Sequence, residues 1–459
     1  MKRIFNYLFI LMTATLAFTA CDDDDEAPVA ADKLETSITS YTFDSAEESV
    51  SVEINSNVEW ECTAGISWLK VEKVDDSHAV ISAEANPNVD IRQGEVTFMG
   101  GAEKVIIAID QLGRKFNGRF EELQGCRNEA AMSWNGKYVI AVWSKGYDDS
   151  GMEIQTALKI NTETGEREEI DLNGLYCTGA VFISDDGNTF MLNDSGNMQC
   201  YMFKDGQRVD IPKLSDMPAT ALYFVQAASA DGSVMVGYCS YYDQELWIGQ
   251  YRPVRWVNGV PELLPMPETN VKGGELLTGC MARGCSADGS IIYGSEWDDH
   301  GLMYWVNGEL NFAGKDNIGE DGGFPIVDSN NYSISANGRF IATAYAGPDY
   351  SHVPVYVDTE TGKMGIIPNI ADGTSLSATD DGTIFVGEGF MGPSKGSVYS
   401  VETGELRPLA EWLLSEKGVA LSGDRQIHRV SQDGKVFWGF HPVPSLLGAA
   451  FVPFYLRVE

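Results

Sequence analysis

The chain has 459 residues, 44% of them hydrophobic, which is material for more than one well-packed domain. Its 67 acidic side chains outnumber 32 basic ones, for a formal charge of −35. That balance makes nucleic acid and anionic lipid surfaces poor partners.

The first twenty residues, MKRIFNYLFILMTATLAFTA, set two basic residues before an apolar run from Ile4, then small residues at Thr19 and Ala20 directly before Cys21. This order predicts a signal peptide over residues 1–20; the apolar stretch is short for a membrane span and acid follows it. The surroundings of Cys21 resemble a bacterial lipoprotein signal, although Phe18 stands where that motif usually has Leu. The resemblance implies that the Cys21 thiol is diacylated and anchors the chain in outer-membrane lipid. Residues 21–32, opening CDDDDE, read as an acidic tether, solvated and self-repelling. They also resemble the export tag of Bacteroidetes lipoproteins, which implies an outer-membrane protein exposed on the extracellular side. Cleavage removes Lys2 and Arg3 and moves the formal charge from −35 to −37. No later apolar run is long enough to cross a bilayer. Seven further cysteines show no CxxC spacing and no dense disulfide pattern, so they are expected in cores, with neither a metal centre nor a cofactor.

From residue 33 to 113 short runs alternate as strands do: SVSVEIN, VEWECTA, WLKVEK, AVISAEA, GEVTFMG, KVIIAIDQLG. The period of two, with turn residues between runs, predicts an antiparallel β-sandwich. Val58-Glu-Trp60, Ser67-Trp-Leu69, Ala85-Asn86, Arg92-Gln-Gly94 and Ile109-Asp-Gln-Leu-Gly113 resemble the signature of the BACON domain, an immunoglobulin-like module of Bacteroidetes surface proteins. The resemblance implies a spacer or an accessory carbohydrate binder. Trp60 and Trp68 lie beside apolar residues in strand patterns and are expected in the core.

Beyond residue 114 one turn recurs: Ser133-Trp-Asn-Gly136, Ser184-Asp-Asp-Gly187, Ser229-Ala-Asp-Gly232, Ser286-Ala-Asp-Gly289, Ser335-Ala-Asn-Gly338, Thr379-Asp-Asp-Gly382 and Ser431-Gln-Asp-Gly434. The spacings of 51, 45, 57, 49, 44 and 52 residues are those of four-stranded propeller blades. A strand follows each copy, and a second hairpin signal (NTETGE, KDGQ, VNGV, VNGE, DTETGK, VETGE) follows the first six. The seventh copy lacks it, whereas a spare strand, GRFEELQG, precedes the first. That strand is expected to complete the last blade and close the ring. The fold class predicted is all-β: an immunoglobulin-like β-sandwich followed by a seven-bladed β-propeller over 114–459. The repeats resemble TolB-like and HAF repeats of secreted bacterial proteins. Seven equivalent turns read as fold punctuation and not as metal or phosphate loops.

The loops between second and third strands are long and varied, so function is expected on their face. They carry the candidate glycan-binding rings Trp143, Tyr147, Tyr241, Tyr242, Trp247, Trp297, Tyr345 and Tyr350, which can stack on sugars, beside acids and histidines that hydrogen-bond hydroxyls. The expected ligand is a neutral extracellular carbohydrate, with an outer-membrane transporter or other surface lipoproteins as further partners. The sequence contains no HExxH motif and no Walker loop. If the chain is instead a glycoside hydrolase or polysaccharide lyase, its catalytic candidates are His300, His352 and His428, with His441, Asp298, Asp299 and Arg283 as further usable groups, although consecutive Asp298 and Asp299 make a poor acid–base pair. A third reading is a protein-binding platform.

Overall fold

The computed structural model describes residues 31–459 except 195–198, 330–331, 348–351, 389–394, 422–423 and 446–447, and omits the side chains of 127–129, 374 and 442–450. The signal segment, Cys21, most of the tether and Tyr350 lie outside the described residues. Among the described residues no helix is long and apolar enough to cross a membrane. The chain is all-β and forms two compact units: residues up to Ala85 with Gln93–Gln111, and Asn86–Arg92 with Leu112–Glu459.

The smaller unit contains β1 (Leu34–Thr36), β2 (Ser40–Phe43), β3 (Glu48–Ser56), β4 (Trp60–Ala64), β5 (Leu69–Asp75), β6 (His78–Ala83), β7 (Arg92–Gly100) and β8 (Glu103–Gln111). They pair as two four-stranded sheets, β1-β3-β6-β5 and β2-β8-β7-β4, which share one core. Alternation drives this burial: β6 turns Ala79, Ile81 and Ala83 inward and leaves His78, Val80 and Ser82 partly exposed. Trp60 and Trp68 are buried in that core, and the Trp60 indole donates to the Asp76 carbonyl at 2.9 Å. The buried Gln111 amide donates to the carbonyls of Asp44, Ala46 and Glu84, which ties three segments together.

The larger unit opens with β9 (Gly118–Glu122) and then repeats a four-stranded antiparallel meander. The strands are β10 (Cys126–Met132), β11 (Tyr138–Tyr147), β12 (Glu153–Asn161), β13 (Arg167–Asp171); β14 (Gly179–Ile183), β15 (Thr189–Asp194), β16 (Gln199–Lys204), β17 (Gln207–Val209); β18 (Leu222–Ala228), β19 (Val234–Asp243), β20 (Ile248–Val257), β21 (Val260–Leu263); and β22 (Cys280–Cys285), β23 (Ile291–Glu296), β24 (Leu302–Val306), β25 (Glu309–Asn311). After α1 (Ala313–Asp316) come β26 (Phe324–Ile326), β27 (Ser333–Ile334), β28 (Phe340–Ala346), β29 (His352–Asp358), β30 (Lys363–Ile366); then β31 (Gly373–Ala378), β32 (Thr383–Glu388), β33 (Lys395–Ser400), β34 (Leu406–Pro408). After α2 (Leu409–Lys417) the chain ends with β35 (Gln426–Val430), β36 (Val436–Ser445) and β37 (Gly448–Val458). The last sheet runs β35-β36-β37-β9, so the strand before the first repeat supplies its outer edge, with Leu456 opposite Phe120. The first strands of successive meanders contact one another from β10 through β14, β18, β22, β27 and β31 to β35. They are therefore the inner strands.

The recurrent turn has one geometry. In Ser229-Ala-Asp-Gly232 the Ser229 hydroxyl donates to Asp231 Oδ1 and accepts the Val234 N–H, Asp231 Oδ1 accepts the Ser233 N–H, and Gly232 sits at φ +70°. Only a residue tolerant of the left-handed region fits there. The turns are also stitched to one another: the N–H of Asp185 donates to Ala230, that of Ala230 to Ala287, that of Ala287 to Ala336 and that of Gln432 to Trp134, at 2.7–2.8 Å. The Trp134 indole donates to the Ala228 carbonyl at 3.1 Å, linking the first turn to the third. Asp231→Ala or Asp288→Ala is expected to lower stability by about 1 kcal/mol, measured by urea denaturation. A loss above about 3 kcal/mol would show that these carboxylates do more than hold a turn.

Register shifts between Val225 and Ala227, Ala282 and Gly284, and Ile427 and Arg429 insert Gln226, Arg283 and His428 as extra residues in β18, β22 and β35. Each stands three residues before its turn serine.

Candidate functional site

The site is built on the β23–β24 loop, residues 297–301. The fully buried Glu296 carboxylate accepts the N–H groups of Asp299 at 2.8 Å and Gly301 at 3.2 Å, so it moulds the loop from below; burial pushes its pKa up. Asp298 accepts the N–H groups of Leu277 at 2.8 Å and Thr278 at 3.2 Å together with the Thr278 hydroxyl. Asp299 pairs with Lys272 at 2.5 Å. Both acids are therefore committed to positioning the loop. His300 lies in the left-handed region at φ +62°, a cost of about 1 kcal/mol for a residue with a side chain, and its carbonyl accepts the Val327 N–H at 2.8 Å.

This backbone places Trp297 on Tyr251, ring centroids 4.5 Å apart and 26° from parallel, with His300 edge-on to Trp297 at 5.5 Å. The run of rings continues from Tyr251 to Tyr238 at 5.9 Å and from Tyr238 to Phe224, stacked at 4.9 Å. Asp328, just after β26, accepts the Tyr332 hydroxyl at 3.1 Å and lies 3.1 Å from His352 Nε2. Burial pulls the His300 pKa below its ordinary value and the charge of Arg283 adds to the effect, whereas Asp328 opposes it. Its Nδ1 is buried and has no hydrogen-bond partner among the described residues. Arg283 stands near the same rings: Tyr238, Tyr251, Tyr293 and Asp328 all act on its guanidinium. An aromatic surface thus meets imidazole, carboxylate and guanidinium groups. Among the described residues no group of three or more His, Cys, Asp or Glu is placed to hold a metal ion.

The structure brings Trp297, His300 and His352 together and places the other candidates elsewhere. Trp247 is 79% exposed at φ +56° on the β19–β20 tip, where Asp243 Oδ1 accepts the N–H groups of Glu245 and Leu246. Tyr242 and Leu246 are exposed on the same tip, and Tyr147 is 73% exposed at the end of β11. Tyr241 is partly buried, with Arg252 5.8 Å from its ring centroid. Trp143 packs with Leu123, Val139 and Leu158. Tyr345 departs from the expectation of an exposed platform: it is 9% exposed, its hydroxyl donates to Asp321, and its ring closes over Gly319 and Gly323. Its strand, β28, is buried along nearly its whole length, so the ring has no free face. His428 lies on an inner strand, edge-on to Phe440 at 4.6 Å.

Tyr238, Tyr251, Asp328 and Tyr332 were not singled out from the sequence, because they sit in strands or short connections where a ring or an acid reads as ordinary packing or turn chemistry.

A scan of protein-family models matches none to this chain, and no curated protein matches it. Among solved structures the chain is similar to TolB from Acinetobacter baumannii, at 10% identity over 76% of this chain and 78% of that one, with a TM-score of 0.35. It is likewise similar to the β-propeller domain of the trilobed protease from Pyrococcus furiosus, at 10% identity over 82% and 97%, with a TM-score of 0.41. Its own consecutive meanders, stitched turn to turn and closed by β9, make the larger unit a β-propeller.

Proposed function

We propose that this is a surface-exposed, Cys21-anchored lipoprotein in which a BACON-like, immunoglobulin-like domain over 33–113 carries a seven-bladed propeller that binds neutral extracellular carbohydrate. The observation behind the reading is the partly exposed Trp297 at the end of the Phe224–Tyr238–Tyr251 run, with His300 edge-on to it and the Asp328–His352 pair following the Val327 backbone that bonds His300. A ring face takes up the apolar side of a pyranose while the polar groups take its hydroxyls. The Nδ1 of His300, which has no hydrogen-bond partner among the described residues, and the Asp328–His352 pair favour a second reading, a glycoside hydrolase or lyase acting on the same ligand.

The test is a glycan panel with the soluble protein from residue 33 onward, scored for retention and for released reducing ends or unsaturated products. Retention without product supports binding; product brings His300 and His352 forward as acid and base. Silence in both scores overturns the carbohydrate reading and favours a protein partner on the Tyr242–Leu246–Trp247 tip. Trp297→Ala is expected to weaken retention at least about tenfold, equivalent to roughly 1.4 kcal/mol. Trp247→Ala should leave the melting temperature unchanged, since its ring is bare. Equal affinity in Trp297→Ala and wild type would remove the aromatic face from the site.

A further inference from the structure

A cavity of about 230 Å³ opens in the larger unit where residues 87–89 and 114–117 meet the end of α2 and the end of β37. Its walls are fixed by backbone hydrogen bonds. The Val89 N–H donates to the Ala420 carbonyl at 2.9 Å, the Arg114 N–H to the Asn88 carbonyl at 2.6 Å and the Glu459 N–H to the Asn117 carbonyl at 3.2 Å. The crossing of the first two segments is so close that a Cβ on Gly113 would fall onto the Val89 carbonyl oxygen. Val89 and Phe116 pack onto the core that buries Val419 and Val458, so one wall is apolar and rigid. The other wall is cationic: Arg114, Lys115 and Lys417 all line the cavity. Lys417, in the last turn of α2, is partly buried; its Nζ donates to the Gly434 carbonyl at 3.2 Å and lies 5.4 Å from the Trp412 ring centroid. One of its N–H groups thus holds it in place, and the others remain for a ligand. Arg114 and Lys115 are exposed and form no ion pair among the described residues. An unpaired surface cation is ordinary. Three around one cavity, against the single acidic side chain of Glu459, reverse the balance of a chain whose acids outnumber its bases two to one.

We propose that this cavity binds a small oxyanion, a carboxylate or a phosphate, with Arg114, Lys115 and Lys417 as its cationic partners. The guanidinium fork of Arg114 matches two oxygens of either group, and the two ammonium groups add point charges around them. The volume is below the roughly 300–1,000 Å³ of sites for drug-sized ligands, which suits an anion on a body of monosaccharide size or smaller. Glu459 weakens the field of the three cations without cancelling it. The proposal is independent of carbohydrate binding at Trp297, since it rests on another cavity and on charge.

The experiment is calorimetric titration of the full chain with inorganic phosphate and, separately, with glucuronate, using glucose as the neutral control. Binding of at least one anion is expected, weakening as salt is raised and at least about tenfold weaker when Arg114→Gln and Lys115→Gln are combined. Both side chains are exposed, so the double variant keeps its fold. Glu459→Gln should bind the same anion more tightly than wild type, a gain that misfolding cannot produce. Phosphate binding alone would assign the cavity to phosphate, and glucuronate binding alone to a sugar acid. No binding of either anion, equal binding in the double variant, or binding of glucose as tight as that of glucuronate in the absence of phosphate binding would each overturn the proposal. Trp297→Ala should leave anion binding unchanged, so failure of the carbohydrate reading and failure of this one are separable.

Discussion

Gly439→Ala is expected to destabilise the larger unit by at least about 3 kcal/mol, the size of a clash that no rotamer change can relieve. Gly439 pairs with Ile427 where β35 carries its extra residue, and a Cβ added there would fall onto the Gln426 carbonyl oxygen, with the Phe454 ring 3.0 Å away. The obstacle is backbone, so either β35 or β36 would have to move. Gly237 faces the Phe224 carbonyl and Gly294 the Met281 carbonyl in the same way. Each of the three glycines stands eight residues after its turn serine. The comparison variant is Gly418→Ala at the C-terminus of α2, where φ is +67° but no atom lies within 4 Å of the added Cβ; it should cost only about 1 kcal/mol. Guanidinium denaturation of both variants makes the check. Similar losses in the two would mean that the inserted residues do not press the inner strands onto their neighbours.

The second large effect is expected at the seam. Arg425, 4% exposed, donates to Glu122 at 2.9 Å, lies 3.6 Å from Asp90, which clusters with the same unit, and is sandwiched near the rings of Phe120 and Phe454. Glu122 belongs to β9, the strand that completes the last sheet, and it also holds His441 Nδ1 at 3.0 Å. Arg425→Met keeps much of the packing but leaves Glu122 half-buried without its cation, and should cost about 3–5 kcal/mol. Glu122→Gln added to Arg425→Met should return part of that loss, because it removes the stranded charge. The pH dependence has a defined sign. The hydrogen bond from His441, and then the charge of Arg425, hold the Glu122 pKa below its ordinary value. Its stabilisation is therefore fully present above an unfolded value of about 4.3 and is lost as pH falls through the lowered folded value. In Arg425→Met the folded value rises and the contribution shrinks. A denaturation series from pH 7 to pH 3 checks this, and a variant as stable as wild type throughout would show that β9 needs no ionic hold.

Much of the architecture was legible because it rests on local chemistry. SADGS at Ser229 and at Ser286 announces a turn through the hydroxyl and carboxylate that bond the next N–H groups, and both copies make it. NG at Asn258 and Asn307 announces the second hairpin through two consecutive residues at positive φ. GRFEELQG was readable as a closing strand because it had no partner in its own neighbourhood, and β9 pairs with β37. The glycines at 237, 294 and 439 were visible as a regular feature of VMVGYC, IIYGSE and VFWGF, but their reason was not. It lies in a strand from another part of the meander.

The candidate site was less legible, and particular residues show why. Trp247 and Trp297 look alike in sequence, each an indole in an acidic loop, yet one is bare on a hairpin tip and the other is stacked on Tyr251, which stands 46 positions earlier. Tyr345 looks like either of them and is buried by Gly319 and Gly323. Asp298 and Asp299, being consecutive, read as a poor acid–base pair, but their partners could not be read: one holds the backbone at Leu277 and the other holds Lys272.

By itself the sequence determined the repeat, its turns, the alternation that makes the strands, and the order in which the ring is closed. These depend on side chains bonding their own neighbours and on period-two burial, which act within a few residues. Only the tertiary structure decided which rings remain open and which acids are already committed. Those outcomes depend on what another meander brings within a few ångströms, and local patterning carries no information about that distance.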